Sequence, residues 1–354
     1  LKEDIVEEVG RLYGFDKLPL ELSARSLAPA NKNPLLEFKG SIRSILRRAG
    51  ANEILTYSFV NGKLLDAVGQ NRDSAYKLKN ALSPELQYYR LSITPSILEK
   101  VSANVRAGYA QFALFELGKA HQLHTDGGLT AEGVPLENER LSLVFVADAK
   151  QAKKYGGAPY YQARHFLATL LKQLGCDHAM TLQPLDDTVA NLQETAFYEK
   201  GRAAMVYVGD TAVGYMGEYR ASVRRALKLP DFTAGFELDV TALRSVQNTS
   251  SSYQPLPKYP SLEQDICLRV PAKTLYAQVL KIAYEVLHIT EYEALVTQVT
   301  PVDAYQRPDD ADFKQITIRL TVASHERTLT ETEVSKLMSA IAESAHARIQ
   351  AERV

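Results

Sequence analysis

The chain is expected to fold as an α+β protein with two sheet domains in tandem. The first is a larger antiparallel sheet with interspersed helices, and the second is a ferredoxin-like, split βαβ unit. Three observations predict this. Short segments of alternating apolar residues recur between amphipathic stretches up to about Ser245, and two of them flank Gly209-Asp210 as hairpin strands would. From Pro257 the order reads strand, helix, strand, strand, helix. Between the two lies Gln247 to Pro257, polar and then proline-rich, a boundary by composition.

The elements follow in order. Residues 1–20 open with an amphipathic helix, and Leu20 to Pro34, with Pro29, Asn31 and Asn33, reads as a linker. Residues 33–245 form the large domain. Pro34–Ala49 is a helix with Leu36, Ile42, Ile45 and Leu46 inward and Arg43, Arg47 and Arg48 outward. Strands are expected at Glu53–Phe59, Phe112–His121, Arg140–Ala147, Arg202–Val208, Ala212–Tyr219 and Phe232–Leu238, and helices at Pro95–Arg106, Tyr161–Leu174 and Ala221–Leu227. Residues 257–354 form the last domain. Its strands are Asp265–Val270, Tyr292–Ala304 and Phe313–Ala323, with Ala351–Val354 as a short final one. Its helices are Lys273–Leu287 and Thr330–Arg348, the second capped by Thr330 with Glu333 three residues on.

Composition bounds the function. With 354 residues and 45% apolar content the chain can bury two or three cores. No apolar run is long enough to span a bilayer and no charged-then-apolar leader opens the chain, so the expected address is cytoplasmic and no membrane is involved. Cys176 and Cys267 are the only cysteines, read as small core residues rather than a disulfide or metal pair. A net charge of −1 excludes indiscriminate nucleic-acid binding and leaves room for a local contact. No phosphate-cradling glycine loop or nucleophile motif is present. His121 and His124 could share a metal, but no third ligand has a typical spacing.

The most informative stretch is Asp4-Ile5-Val6-Glu7-Glu8, whose three acids share a helix face. Oxygen ligands at this spacing suit a hard cation or a basic partner surface. An alternative is that Asp4 is an N-cap with Glu7 completing a capping box.

Read through Arg11-Leu12-Tyr13-Gly14-Phe15-Asp16 to Pro19, this stretch resembles the end of a helical domain in the bacterial phenylalanyl-tRNA synthetase β subunit. The resemblance continues through Asn80–Ser83, Arg90–Leu98 and Phe115–Gly118. It extends to Gly201-Arg202-Ala203-Ala204, Gly214–Glu218, and Glu326-Arg327-Thr328-Leu329-Thr330-Glu331-Thr332-Glu333-Val334. The His-Pro pairs of the family pattern are replaced by Glu199-Lys200 and Tyr219-Arg220, and Gln264 stands where the family has Arg, which implies a lost basic contact.

The resemblance implies a class II synthetase-like core that performs no chemistry, packed against a catalytic α subunit. It also implies a ferredoxin-like domain that contacts the anticodon of tRNA(Phe). Asp4, Glu7 and Glu8 would bind Mg2+ shared with the α subunit, a fourth ligand falling before Leu1, and ATP would be bound by the α subunit. The assembly would be an α2β2 heterotetramer acting as a phenylalanine–tRNA ligase. Anticodon bases are read by stacking on aromatics or arginine and by phosphate contacts. Tyr259, Arg269, Tyr305, Arg307, Lys314, Arg319 and Arg327 are the available residues, each of which could instead be an ordinary surface side chain. Two alternatives are a freestanding RNA-binding module and an autonomous class II-like ligase using Arg220.

Overall fold

The computed structural model describes every residue except 23, 30, 122–128, 131–132, 156, 177–179, 186–191, 248–254, 289–294 and 308. His124, Tyr292 and most of the expected boundary at 247–257 therefore lie outside the described residues. The chain divides into two compact units, Leu1–Gly40 and Ser41–Val354.

The first unit contains helix α1 (Lys2–Tyr13) and the start of helix α2 (Pro34–Arg48). The described residues between 20 and 33 form neither helix nor strand. Asn33 ends it by accepting the Leu35 and Leu36 N–H groups at 3.1 and 3.3 Å, with Pro34 in the first helical position. Leu36, expected inward, is 61% exposed in that first turn, whereas Ile42, Ile45 and Leu46 are buried.

In the second unit a seven-stranded sheet has the order β1-β4-β5-β9-β8-β7-β6. Its strands are β1 (Asn52–Glu53), β4 (Gln111–Ala120), β5 (Asn138–Ala147), β6 (Met180–Pro184), β7 (Tyr198–Val208), β8 (Thr211–Tyr219) and β9 (Phe232–Asp239). Among the described residues of this sheet the β1–β4 pair is parallel and the others are antiparallel. A separate pair joins β2 (Phe59–Val60) to β3 (Tyr88–Tyr89). The single strand expected over Glu53–Phe59 is thus two fragments. The Ile54 N–H still donates to Phe115 O at 2.9 Å, but Thr56 turns its hydroxyl to the Glu116 carboxylate and the backbone leaves the sheet.

Helices cover both faces. On one side α3 (Gly62–Ala67), α4 (Thr94–Arg106) and α7 (Ala221–Leu227) bury Leu65, Ile97, Leu98 and Val223 in the same cluster as Leu114, Val144, Val146 and Tyr219. On the other lie α6 (Pro159–Leu174) and α8 (Val240–Ser245), with Phe166 of α6 against Phe145 of β5 at 6.1 Å between ring centres. A short helix α5 (Ala149–Ala152) follows β5. Each fully buried aliphatic or aromatic side chain here contributes about 1.5–3 kcal/mol.

The C-terminal sheet has the order β11-β12-β10-β13, all antiparallel, from β10 (Leu262–Pro271), β11 (Leu295–Tyr305), β12 (Phe313–Ser324) and β13 (Glu352–Arg353). With α9 (Tyr276–Leu287) and α10 (Glu331–Ile349) on one face, it is the ferredoxin-like arrangement. Ile316, Ile318, Leu320 and Val322 turn toward the helices as their alternation predicts. Helix α9 starts three residues later than the sequence suggests, because the Gln278 side chain accepts the Leu275 N–H at 2.8 Å and makes Leu275 the cap. For α10, both the N–H and the hydroxyl of Thr330 donate to the Glu333 carboxylate, at 2.9 and 2.8 Å. Arg327, which donates to the same carboxylate, has the larger effect, and with the Thr330 bonds it holds the Glu333 carboxyl down at about 2.

Candidate nucleic-acid interface

Helix α1 begins at Lys2, so Asp4 sits inside the first turn rather than capping it, and the Asp4–Glu7 capping box does not form. Asp4 accepts from the Leu1 amino group at 2.7 Å, and Glu8 pairs with Arg11 at 2.6 Å. All three carboxylates are exposed. Among the described residues no three His, Cys, Asp or Glu side chains come together as a cation site. Magnesium requires near-octahedral oxygen ligation and keeps several waters. The carboxylates of this chain do not by themselves enclose such an ion.

The face of the C-terminal sheet opposite α9 and α10, on which no helix packs among the described residues, is different. Alternation that sends Ile316 to Val322 inward sends Gln315, Thr317 and Arg319 of β12 outward, opposite Arg269, Cys267 and Asp265 of β10. Cys267 is accordingly half-buried rather than a core residue, whereas Cys176 is buried. Gln264 has the parity of Ile266 and Leu268 and faces the helix side.

At one end of this face is a cavity of about 240 Å³ lined by Tyr305, Arg307, Arg269, Asp310, Phe313, Lys314, Gln315 and Val354. It falls below the roughly 300–1,000 Å³ of sites for drug-sized ligands, a size better suited to one flat ring. Four of the seven residues expected to meet RNA are thus brought together. Tyr305 is 49% exposed and lies opposite Gln315 across the β11–β12 ladder. Arg307 is exposed. Lys314 has the inward register and is half-buried at the sheet end.

Arg269 lies over the Phe313 ring, 3.9 Å from its centre, and donates to Asp310 at 3.0 Å and Glu352 at 3.3 Å. Its guanidinium holds the Asp310 carboxyl below the usual carboxylate range. The other three expected residues lie outside the cavity. Arg319 forms a two-pronged pair with Asp265 at 2.7 and 2.9 Å, which lowers the Asp265 pKa. Arg327 is engaged by Glu333 at 3.0 Å, and Tyr259, 40% exposed, precedes β10. Sequence reasoning missed Phe313, Gln315 and Asp310. The first two were readable from the parity of β12; the long-range pairing of Asp310 was not.

A family model described as the phenylalanyl tRNA synthetase beta chain CLM domain matches residues 18–240. A second, the ferredoxin-fold anticodon binding domain, matches residues 257–353. Relatives named phenylalanine–tRNA ligase beta subunit include those of Moorella thermoacetica, 27% identical, and Geobacillus kaustophilus, 29% identical. The alignments cover 98% and 95% of this chain but 42% and 40% of those proteins, so the chain spans about two fifths of the length of these relatives. Among solved structures, a pyrrolysyl tRNA synthetase from Desulfitobacterium hafniense overlays 64% of this chain and 74% of its own, at a TM-score of 0.46 and 14% identity.

Proposed function

This chain belongs to the phenylalanyl-tRNA synthetase β-chain family, and from that membership we propose that it is the noncatalytic, tRNA-binding part of a phenylalanine–tRNA ligase β subunit. Residues 33–245 serve as a class II-like scaffold for a catalytic α subunit, residues 257–354 receive the anticodon of tRNA(Phe), and residues 1–20 end a preceding helical domain. The α subunit binds ATP and activates phenylalanine in a cytoplasmic α2β2 assembly. Asp4, Glu7 and Glu8 are this chain's share of a magnesium site whose remaining ligands lie elsewhere.

The observation that carries this reading is the contrast between the two sheets. Adenylate formation needs an open sheet face with arginines free to meet phosphates. On the α4 side of the large sheet, Arg90 is bound to Glu116, Arg140 to Glu194, and the Arg220 Nε–H donates to Tyr198 O at 2.9 Å. Glu237 fills the same face, accepting from the Thr94 N–H at 2.8 Å and its hydroxyl at 2.6 Å. Gly217, which with Arg220 superficially matches an active-site motif, has a structural reason: a Cβ there would stand 2.6 Å from that of Ala203. The C-terminal sheet, by contrast, has no helix on its second face among the described residues and carries a cavity lined by Tyr305 and Arg307.

Mixing this chain with a cognate α subunit and measuring mass by size-exclusion chromatography with light scattering tests the scaffold role. A complex containing both chains is expected, weakened by Glu7→Ala with Glu8→Ala. Separate elution with and without magnesium would refute it.

A further inference from the structure

We infer that Arg269, although it lines the cavity, does not meet RNA phosphate but is a positioning residue, latching the β11–β12 connection so that Tyr305 and Arg307 are correctly presented. The inference rests on the proposed RNA contact and assigns it an internal division of labour.

Geometry supplies the reason. One guanidinium faces two carboxylates, Asp310 at 3.0 Å and Glu352 at 3.3 Å, while its central carbon lies 3.9 Å from the Phe313 ring centre. A phosphate approaching Arg269 would meet those carboxylates as well, and like charges at contact distance repel. Along the same face Arg319 is matched by Asp265 and Glu263, so the basic side chains there are neutralised in place. Arg307 is exposed and has no ion-pair partner among the described residues.

The same contacts make a brace. Asp310 Oδ1 accepts the Phe313 N–H at 3.1 Å while its Oδ2 accepts from Arg269. The Gln306 side-chain amide donates to the carbonyls of Asp310 and Ala311 at 3.2 and 3.0 Å. Arg269 therefore ties β10 to the connection that carries Arg307 and follows Tyr305, and through Glu352 it also ties β13. Its guanidinium is held by the Phe313 ring as well as by charge, so a lysine would not replace it.

The two roles differ in the sign of one substitution. If Arg269 held a phosphate, Asp310→Asn would release its charge and tighten binding; if Arg269 is a latch, the same change loosens the connection and weakens binding. The test uses the full chain and a fluorescent anticodon stem–loop RNA, titrated at several salt concentrations. Arg269→Gln and Asp310→Asn are each expected to weaken binding about tenfold, the order of a partly lost stacking contact. The salt slope should stay unchanged, and the double variant should be no weaker than either single one. Arg307→Gln should lower the slope by about 0.7, one single-strand phosphate.

Amide hydrogen exchange at Arg307, Asp309 and Asp310 should quicken in Arg269→Gln without RNA present. Tighter binding by Asp310→Asn, or a slope reduced by about 0.7 in Arg269→Gln, would overturn the latch. Failure of the unsubstituted chain to bind at all would instead overturn the RNA contact, and unchanged exchange in Arg269→Gln would overturn the brace independently of any ligand.

Discussion

Glu116→Ala will destabilise the chain by about 3–5 kcal/mol, because it leaves a buried guanidinium without its counter-charge. Arg90 and Glu116 are 2% exposed each, joined at 2.8 Å. Arg90 also donates to Thr56 Oγ1 and to Lys119 O, both at 2.8 Å, and the Thr56 hydroxyl donates to the other Glu116 oxygen at 2.6 Å. This network fastens the segment before α4 onto the edge of the sheet. Removing the carboxylate keeps the desolvation cost of the arginine and loses what offset it. The paired replacement Arg90→Met with Glu116→Leu is therefore expected to be nearly neutral or stabilising. Urea unfolding followed by circular dichroism distinguishes the cases. Similar losses in the single and paired variants would mean that the ion pair itself contributes the stability.

Tyr305→Ala will weaken binding of an anticodon stem–loop by about 1–3 kcal/mol, the cost of a lost base–aromatic stack, at an unchanged salt slope. Tyr305→Phe should retain most of the affinity, since stacking uses the ring and not the hydroxyl. The exposed, uncharged ring in the cavity lining is what separates this residue from Arg307, whose replacement changes the slope. Equal affinity of Tyr305→Ala and the parent chain would show that no base stacks there.

The fold was legible where the signal is local. Alternation over Ile316, Ile318, Leu320 and Val322 set the inward face of β12, and Thr330 with Glu333 marked the start of α10, since both depend on neighbours within a few residues. The fragmenting of the predicted Glu53–Phe59 strand depended on Glu116, sixty residues from Thr56 in sequence. The segments Arg90–Leu98 and Phe115–Gly118 could each be matched to a family pattern, but not recognised as partners through Arg90 and Glu116, 26 residues apart.

The site shows the same limit. The sequence supplied Arg269, Tyr305, Arg307 and Lys314, which line one cavity. It could not separate Arg269 from Arg307, because the neutralising Asp310 is 41 residues from Arg269 and reaches it only through the sheet. Asp4, Glu7 and Glu8 were readable as one helix face, yet a metal site depends on ligands converging from other elements, and among the described residues none does.

Phenylalanine-dependent ATP–pyrophosphate exchange tests the central claim most directly, measured for this chain, for a cognate α subunit and for their mixture. A scaffold that binds tRNA and leaves chemistry to its partner predicts no exchange from this chain alone and exchange from the mixture. Stoichiometric exchange by the purified chain without an α subunit would contradict it.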